Sequence, residues 1–436
     1  MFADKLNPKS WLKSEFALNL RPLLLRLRKK LWFRPLFAVV ISIGMAFLAR
    51  ISDYYLKSEW LPQVQIDSVE RLLSIIATSM LAVSTFTVAS MVSAYASASS
   101  MATPRSFRLV VSDDVTQNTL SVFIGTFIFS VVALVAVENN YYGKPGTFTL
   151  FCMTALVFAL VVLSFVRWID SIARLGRMGN TIERAKLAAM NSVKLIAKDP
   201  YLGAMPPQPI KGEYLAVSPS NPGYVTTIDF DGLETVALNK NVRIHVNVRH
   251  GEYLSYRSDM LIVQCVDGEF PVDLKSEELR SFITVESAQE FESNPTFGIK
   301  VLTEIACKAL SPGINDHGTA VQVINVQSEL LSSWVWFERR RNSTEPKFTR
   351  VHFAQLNVNL LVHEAFDPIC RDGAANFDIL NHVISSLRSL KEYQRCDFSE
   401  GIERMALRIK ERIDLTQHLH EDRELMLKEL GELLDN

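Results

Sequence analysis

Leu72–Met101 reads LLSIIATSMLAVSTFTVASMVSAYASASSM, thirty residues without a charge and long enough to cross a bilayer as one helix. It is apolar in an unusual way. Ser79, Ser84, Thr85, Thr87, Ser90, Ser93, Ser97 and Ser100 recur along it with alanines between them. Such a surface suits contact with other protein or with water better than contact with lipid alone.

Three further apolar runs flank it. The predicted spans are residues 31–48, 72–101, 120–137 and 148–166, which places a four-helix transmembrane domain over residues 31–170. Before it lies a basic segment, residues 1–30, in which Lys and Arg alternate with Trp11, Phe16 and several leucines. That segment either sets topology or lies as an amphipathic helix on an anionic leaflet. No signal peptide is evident. Four spans leave both termini on one side. The segment before span one, Arg105 and Arg108 after span two, and Arg167, Arg174, Arg177, Arg184 and Lys186 after span four are strongly basic. The opposite loops carry only Arg50, Lys57, Lys144 and the boundary residue Arg71. The positive-inside rule therefore predicts cytoplasmic N- and C-termini. No span has an ionisable residue at its middle, which disfavours intramembrane proton coupling.

The averages of 48% hydrophobic residues and +0.12 mean hydropathy conceal a second half of ordinary soluble composition. A formal net charge of −1 gives no argument for a nucleic-acid partner. The five cysteines (Cys152, Cys265, Cys307, Cys370, Cys396) lack metal spacing and read as reduced, buried thiols; no cofactor is expected. Asn180 and Glu183 suit the start of a helix ending near Asp199. The Pro-rich tract Pro200–Gly212 closes a linker over residues 171–212.

Residues 213–292 form a predicted β-rich subdomain. Gly223–Asp229 is a strand candidate, and Asp231 with Glu234 suits the start of a short helix. Val242, Ile244, Val246 and Val248 alternate with Arg243, His245, Asn247 and Arg249 as in a half-buried strand. Arg243, His245 and Arg249 could hold an anion on the outer face, although a solvated strand face needs no ligand. The G-Y-V … V-x-V-x-x-G-E-Y-L pattern resembles the small sandwich barrels of biotinyl- and lipoyl-carrier domains in shape, without a lysine at the hairpin tip. Residues 293–436 are predicted to be helical, with amphipathic stretches at Val351–Cys370, Phe377–Tyr393 and Glu400–Leu434. The expected fold is a membrane α-helical domain of four transmembrane helices joined to a cytoplasmic α+β domain. The latter holds a small β-barrel- or sandwich-like segment and amphipathic helices.

Ala309–Ala320 reads ALSPGINDHGTA. With the preceding F-G-I (Phe297–Ile299), the Thr103-Pro104-Arg105 exit from span two, Asp114-Val115-Thr116-Gln117 and the G-Y-V-x-x-I-D strand, the chain resembles a family of bacterial predicted membrane proteins of unknown function, domain-of-unknown-function family 2254. The resemblance runs from about span one to the later helices. It implies architecture and brings no activity, cofactor or catalytic residue. The chain departs from the family's usual Pro-Phe at His317-Gly318 and from its usual Gln-Asp at Ser293-Asn294. If those positions bind something, this chain has altered it.

Two sets of residues are functional candidates, and each has a structural alternative. Ser90, Ser93, Ser97 and Ser100, at three- and four-residue spacing, either line a pore or serve close helix packing. Ser311, Asn315, Asp316, His317 and Thr319 either bind a ligand at a helix N-terminus or terminate one helix and cap the next. No catalytic signature is present: no P-loop, nucleophile elbow, zinc-protease motif or dinucleotide fingerprint. The function expected first is a homo-oligomeric channel lined by the second span and gated by its cytoplasmic domain. The alternative is a membrane-anchored sensor or scaffold whose cytoplasmic domain binds a ligand or partner.

Overall fold

The four apolar runs become four helices in the computed structural model: α1 (Phe33–Tyr55), α2 (Ile66–Met101), α3 (Asp114–Glu138) and α4 (Lys144–Arg174). All four are long and apolar enough to span a bilayer. The structure describes residues 33–56, 61–62, 64–101, 103–106, 114–174, 177–266, 274–341, 345–393 and 398–434, the side chains of 98–101, 114 and 174 excepted. The basic segment 1–30 lies outside the described residues. Each helix outruns its predicted span because polar ends continue it: α2 starts on Asp67, Glu70 and Arg71, which face water without breaking the backbone pattern.

α3 is the hub of this bundle and packs against the other three helices. Its approach to α1 depends on a missing side chain. A Cβ at Gly125 would meet Ala38 Cβ and Ser42 Oγ, both at 3.1 Å. Without water to expel, apolar helices associate through such close packing. At the other end, Asp53 of α1 accepts hydrogen bonds from Gly143 N (2.8 Å) and Gly146 N (2.6 Å) and pairs with Arg50 (3.0 Å). The carboxylate satisfies free N–H groups at the start of α4, as a borrowed N-cap. Tyr142 Oη donates to Ala46 O at 2.9 Å beside it.

The chain divides into two compact units, Met1–Met101 with Arg108–Arg177, and Ala102–Phe107 with Met178–Asn436. The second contains α5 (Met178–Lys198), β1 (Leu215–Val217), β2 (Gly223–Ile228), α6 (Phe230–Asn239), β3 (Val242–Val246), β4 (Tyr253–Leu254), β5 (Leu261–Cys265), α7 (Ser276–Ser281) and β6 (Ile283–Glu286). It continues with α8 (Pro295–Ala309), α9 (His317–Arg339), β7 (Val351–Phe353), α10 (Asn359–Asp372), α11 (Phe377–Lys391), α12 (Ser399–Leu415) and α13 (His420–Leu434).

Among the described residues the strands form two open sheets, ordered β1-β5-β3-β7 and β4-β2-β6, rather than the closed barrel the G-Y-V pattern suggests. The pattern fails at β3. This strand is interior, antiparallel to β5 and parallel to β7, and His245 is buried: it stacks on His352 (centroids 4.8 Å apart) and meets Gln264 Oε1 at 3.0 Å. Alternation predicts an outer face open to water; Arg243 and Asn247 keep it, while His352 and Gln264 on the flanking strands cover His245. β7 is a second correction, since Val351–Phe353 is a three-residue strand where the sequence predicts the start of a helix. A buried carboxylate lies beside β7. Glu234 is buried and accepts from Thr349 N (2.7 Å), Thr349 Oγ1 (2.9 Å), Arg350 N (3.0 Å) and Val351 N (3.1 Å), which ties α6 to the start of β7. It takes no part in capping; Asp229, not Asp231, caps α6 by accepting from Gly232 N.

Helices α5 and α8–α13 form the rest of this unit. The F-G-I stretch explains itself here: a Cβ at Gly298 would lie 2.5 Å from Ala189 Cβ, so glycine lets α8 approach α5. Gln327 of α9, fully buried, donates to Ile299 O (2.8 Å) and Thr303 Oγ1 (3.0 Å), and that hydroxyl reaches Glu364 O of α10 (2.8 Å). Glu400–Leu434 is two helices, broken after Leu415 at the exposed Thr416–Leu419 turn region. The cysteines also differ from expectation. Cys370 is buried, Cys265 and Cys307 are half-buried, Cys152 is exposed on α4, and Cys396 lies outside the described residues. Burial pushes the Cys307 and Cys370 thiols up to about 12, which leaves both protonated at neutral pH.

Candidate functional site

The second span presents two unlike faces. Val69, Leu73, Ile76, Ala77, Met80, Ser84 and Thr87 are buried against the bundle. At 100° per residue the opposite side carries Ser74, Thr78, Ala82, Thr85, Ala89 and Ala96, all exposed. From Thr78 these recur at steps of four, three, four and seven, the spacing of a helix–helix seam. Their hydroxyls are satisfied locally: Thr78 Oγ1 donates to Ser74 O (2.9 Å) and Thr85 Oγ1 to Ala82 O (2.8 Å). These two threonines cost little to bury, since their hydroxyls already donate to the backbone.

The predicted serine stripe only partly coincides with that seam. Three-residue steps drift by about 60° around a helix, so the row turns as it climbs. Ser90 is half-buried, Ser93 and Ser97 are exposed, and the side chain of Ser100 lies outside the described residues. Linear spacing identified the helix; only its buried face could show which side remains open.

The ALSPGIND motif forms a helix junction. Asp316 caps α9 by accepting from Thr319 N (3.0 Å) and Thr319 Oγ1 (2.6 Å), and these bonds hold its carboxyl below the usual range. Asn315 takes the left-handed conformation (φ 51°), which asparagine tolerates better than most residues. Ser311 Oγ donates to Lys308 O (2.6 Å), and the His317 ring lies 3.0 Å from Asn376 Nδ2 while Asn376 Oδ1 caps α11. The turn thus occupies these side chains with one another and with helix ends.

A cavity of about 300 Å³ lies elsewhere in the C-terminal unit, between the turn after β3 and the N-terminus of α8. Arg249, His250, Gly251 and Glu252 form one wall; Asn294, Thr296, Phe297 and Lys300 form the other; Ile196, Pro200, Phe353 and Leu356 supply apolar surface. The turn is firmly placed. Gly251 N donates to Val225 O (2.7 Å), Val225 N donates to Glu252 O (3.0 Å), and Gln289 Nε2 donates to Gly251 O (2.6 Å). Gly251 has φ +82°, and a Cβ there would fall 1.7 Å from Asn294 Nδ2, so only glycine fits. Asn294 caps α8 by accepting from Phe297 N at 3.1 Å. Burial drives His250 down to about 4, so its imidazole is neutral at physiological pH. Burial also lowers Arg249, which stays cationic. Among the described residues no group of three His, Cys, Asp or Glu is placed to hold a metal ion.

Sequence reasoning named Arg249 as a possible anion ligand with Arg243 and His245, but the three separate: Arg243 is exposed and His245 is inside the sheet layer. Lys300 and Gln289 carried no local signal. The departure at Ser293-Asn294 did, because both residues line this cavity and Ser293 has a strained φ of 56°.

Four membrane-length helices followed by a mixed sheet and helix unit define a multi-pass membrane protein with a large extramembrane portion. Residues 28–389 match the family described as predicted membrane protein (DUF2254), and the chain belongs to that family. Nothing among curated proteins or solved structures matches it.

Proposed function

We propose that this chain acts as a homo-oligomer whose second spans meet along their outer faces, forming an ion pathway that the cytoplasmic C-terminal unit gates, with both termini inside a bacterial inner membrane. The observation that supports it is the exposed Thr78–Ala82–Thr85–Ala89–Ala96 seam. Small residues at helix spacing allow close backbone approach and gain little from lipid contact. Uncharged hydroxyls beside it, including Ser93 and Ser97, suit a wetted lining. A means of control exists in the chain itself. α2 runs into Thr103–Ser106, which belongs to the C-terminal unit, and there Arg105 pairs with Glu304 of α8.

The test combines assembly and flux. Thr85→Cys in a Cys152→Ser background should give a disulfide-linked dimer in membranes under mild oxidation, and the purified chain in liposomes should release trapped potassium or chloride. Protein that stays monomeric at working concentration, or vesicles that pass no ion under voltage, tension or ligand, would overturn the reading.

The cavity beside α8 favours a second reading, a membrane-anchored sensor whose cytoplasmic unit binds a ligand. Here Ala89→Leu would weaken assembly without changing ligand binding.

A further inference from the structure

The cavity between the 249–252 turn and α8 has an unbalanced charge. Arg249 is half-buried and its guanidinium lies over the Phe353 ring, 6.0 Å from the centroid. Among the described residues no carboxylate comes within ion-pair distance of it, nor of Lys300 on the opposite wall. Glu252, the nearby acid, is turned onto the backbone: its Oε2 accepts from Arg249 N at 3.1 Å. Elsewhere in this unit a partly buried arginine is matched. Half-buried Arg412 bonds Asp367 at 2.7 Å, joined there by the exposed Arg408 at 2.6 Å. Glu252 favours the Arg249 charge from nearby without pairing with it, so the half-buried cation keeps part of its desolvation cost, which an incoming anion would recover.

The remaining walls narrow the ligand. Burial keeps His250 neutral, so it supplies a hydrogen bond rather than charge. The N-terminus of α8, capped by Asn294 and without an N–H at Pro295, adds a favourable dipole beside the same space. Phe297, Phe353, Ile196 and Leu356 offer apolar surface that a bare inorganic anion would leave uncovered. A planar guanidinium matches a carboxylate with two parallel hydrogen bonds.

From this geometry we infer that the cavity binds a small organic carboxylate with an apolar body, its carboxylate held by Arg249 and Lys300 and its body lying against Phe353 and Phe297. This deepens the sensor reading and holds whether or not the spans conduct.

The experiment titrates the full-length chain in detergent micelles with phenylacetate, phenylacetamide, phenethylamine and inorganic phosphate, by calorimetry and by shift in melting temperature. Phenylacetate should bind saturably, and the neutral amide about tenfold or more weaker, the factor for losing a charge-assisted hydrogen bond. Arg249→Lys, which keeps the charge and loses the fork, should weaken phenylacetate by about tenfold. Lys300→Gln, exposed on α8 and clear of the packing, should weaken it severalfold with an unchanged unliganded melting temperature. Equal binding of acid and amide, preference for the amine, phosphate binding as tightly as phenylacetate, or unchanged affinity in both variants would each overturn the inference. Potassium flux from liposomes, measured with and without phenylacetate, separates its failure from failure of the channel reading.

Discussion

Helices α2 and α4 are both over thirty residues long and both apolar, yet the row of small exposed residues runs much further along α2. On α4 the exposed positions include Leu156, Phe158, Leu160, Val162, Leu163, Phe165, Val166 and Ile169. On α2 Ile75, Leu81, Phe86, Val88 and Val92 are exposed too, but they flank a row of small residues, Ser74, Thr78, Ala82, Thr85, Ala89 and Ala96. Bulky branched and aromatic side chains fill the irregular space beside lipid tails, whereas small ones leave a groove that another helix fills better. Mean hydropathy ranks α4 above α2 but does not place the small residues on one face. The burial of the opposite face does.

The largest effect should come from filling that groove. Ala89→Leu on α2 is expected to convert the assembled protein to monomer, while Ala159→Leu, also exposed but on α4, leaves the sedimentation profile unchanged. Equal behaviour of the two variants would break the contrast. A smaller effect tests the inner packing on which both exteriors depend. Gly125→Ala places a Cβ 3.1 Å from Ala38 and Ser42 and should cost about 1–3 kcal/mol of bundle stability by overpacking. Gly44→Ala, with no atom within 4 Å of its added Cβ, should be neutral or stabilise by up to about 1 kcal/mol, and denaturant titration in micelles distinguishes them.

The smallest effect separates the bundle from the C-terminal unit. No ionisable group sits at the middle of α2 or α4, but His250 is held neutral by burial, at about 4 against an ordinary 6.5. The unfolded chain therefore takes up this proton first as pH falls. His250 contributes nothing unfavourable above about pH 7, and stability declines as pH drops through 6.5, levelling off near 4. Subtracting the pH profile of His250→Gln from that of the unaltered chain isolates the contribution. A flat difference between pH 7 and 4 would remove His250 from the cavity's electrostatics.

Much of the architecture is legible in the sequence because membrane spans announce themselves by length and composition alone. The capping role of Asp316 is legible for a similar reason, since caps act within three residues of their own position. What escapes is whatever depends on distant chain. Three residues, Val351–Phe353, carry no measurable periodicity and become a strand because β3 lies beside them, more than a hundred residues earlier in sequence. His245 reads as solvent-facing until His352 covers it. The cavity joins positions from Ile196 to Leu356, and its charge imbalance emerges only when Glu252 is seen to spend itself on a backbone N–H. The open face of α2 was hidden for a subtler reason. Hydroxyls occur on all sides of that helix, so spacing alone favours no direction.

Thr103–Ser106 has a consequence for the order in which the molecule is made. Thr103 and Ser106 are buried in the C-terminal unit and bond each other, Ser106 Oγ accepting from Thr103 N at 3.0 Å, and Arg105 pairs with a glutamate 199 residues later. At about 5–20 residues per second, a ribosome needs roughly 10–40 s to supply that partner. Spans three and four emerge during this wait, so the loop must remain accessible while they insert. The C-terminal unit is therefore not a late appendage that folds alone. It closes around a piece of chain delivered before most of it exists, so its completion requires the loop between the second and third helices to be within its reach.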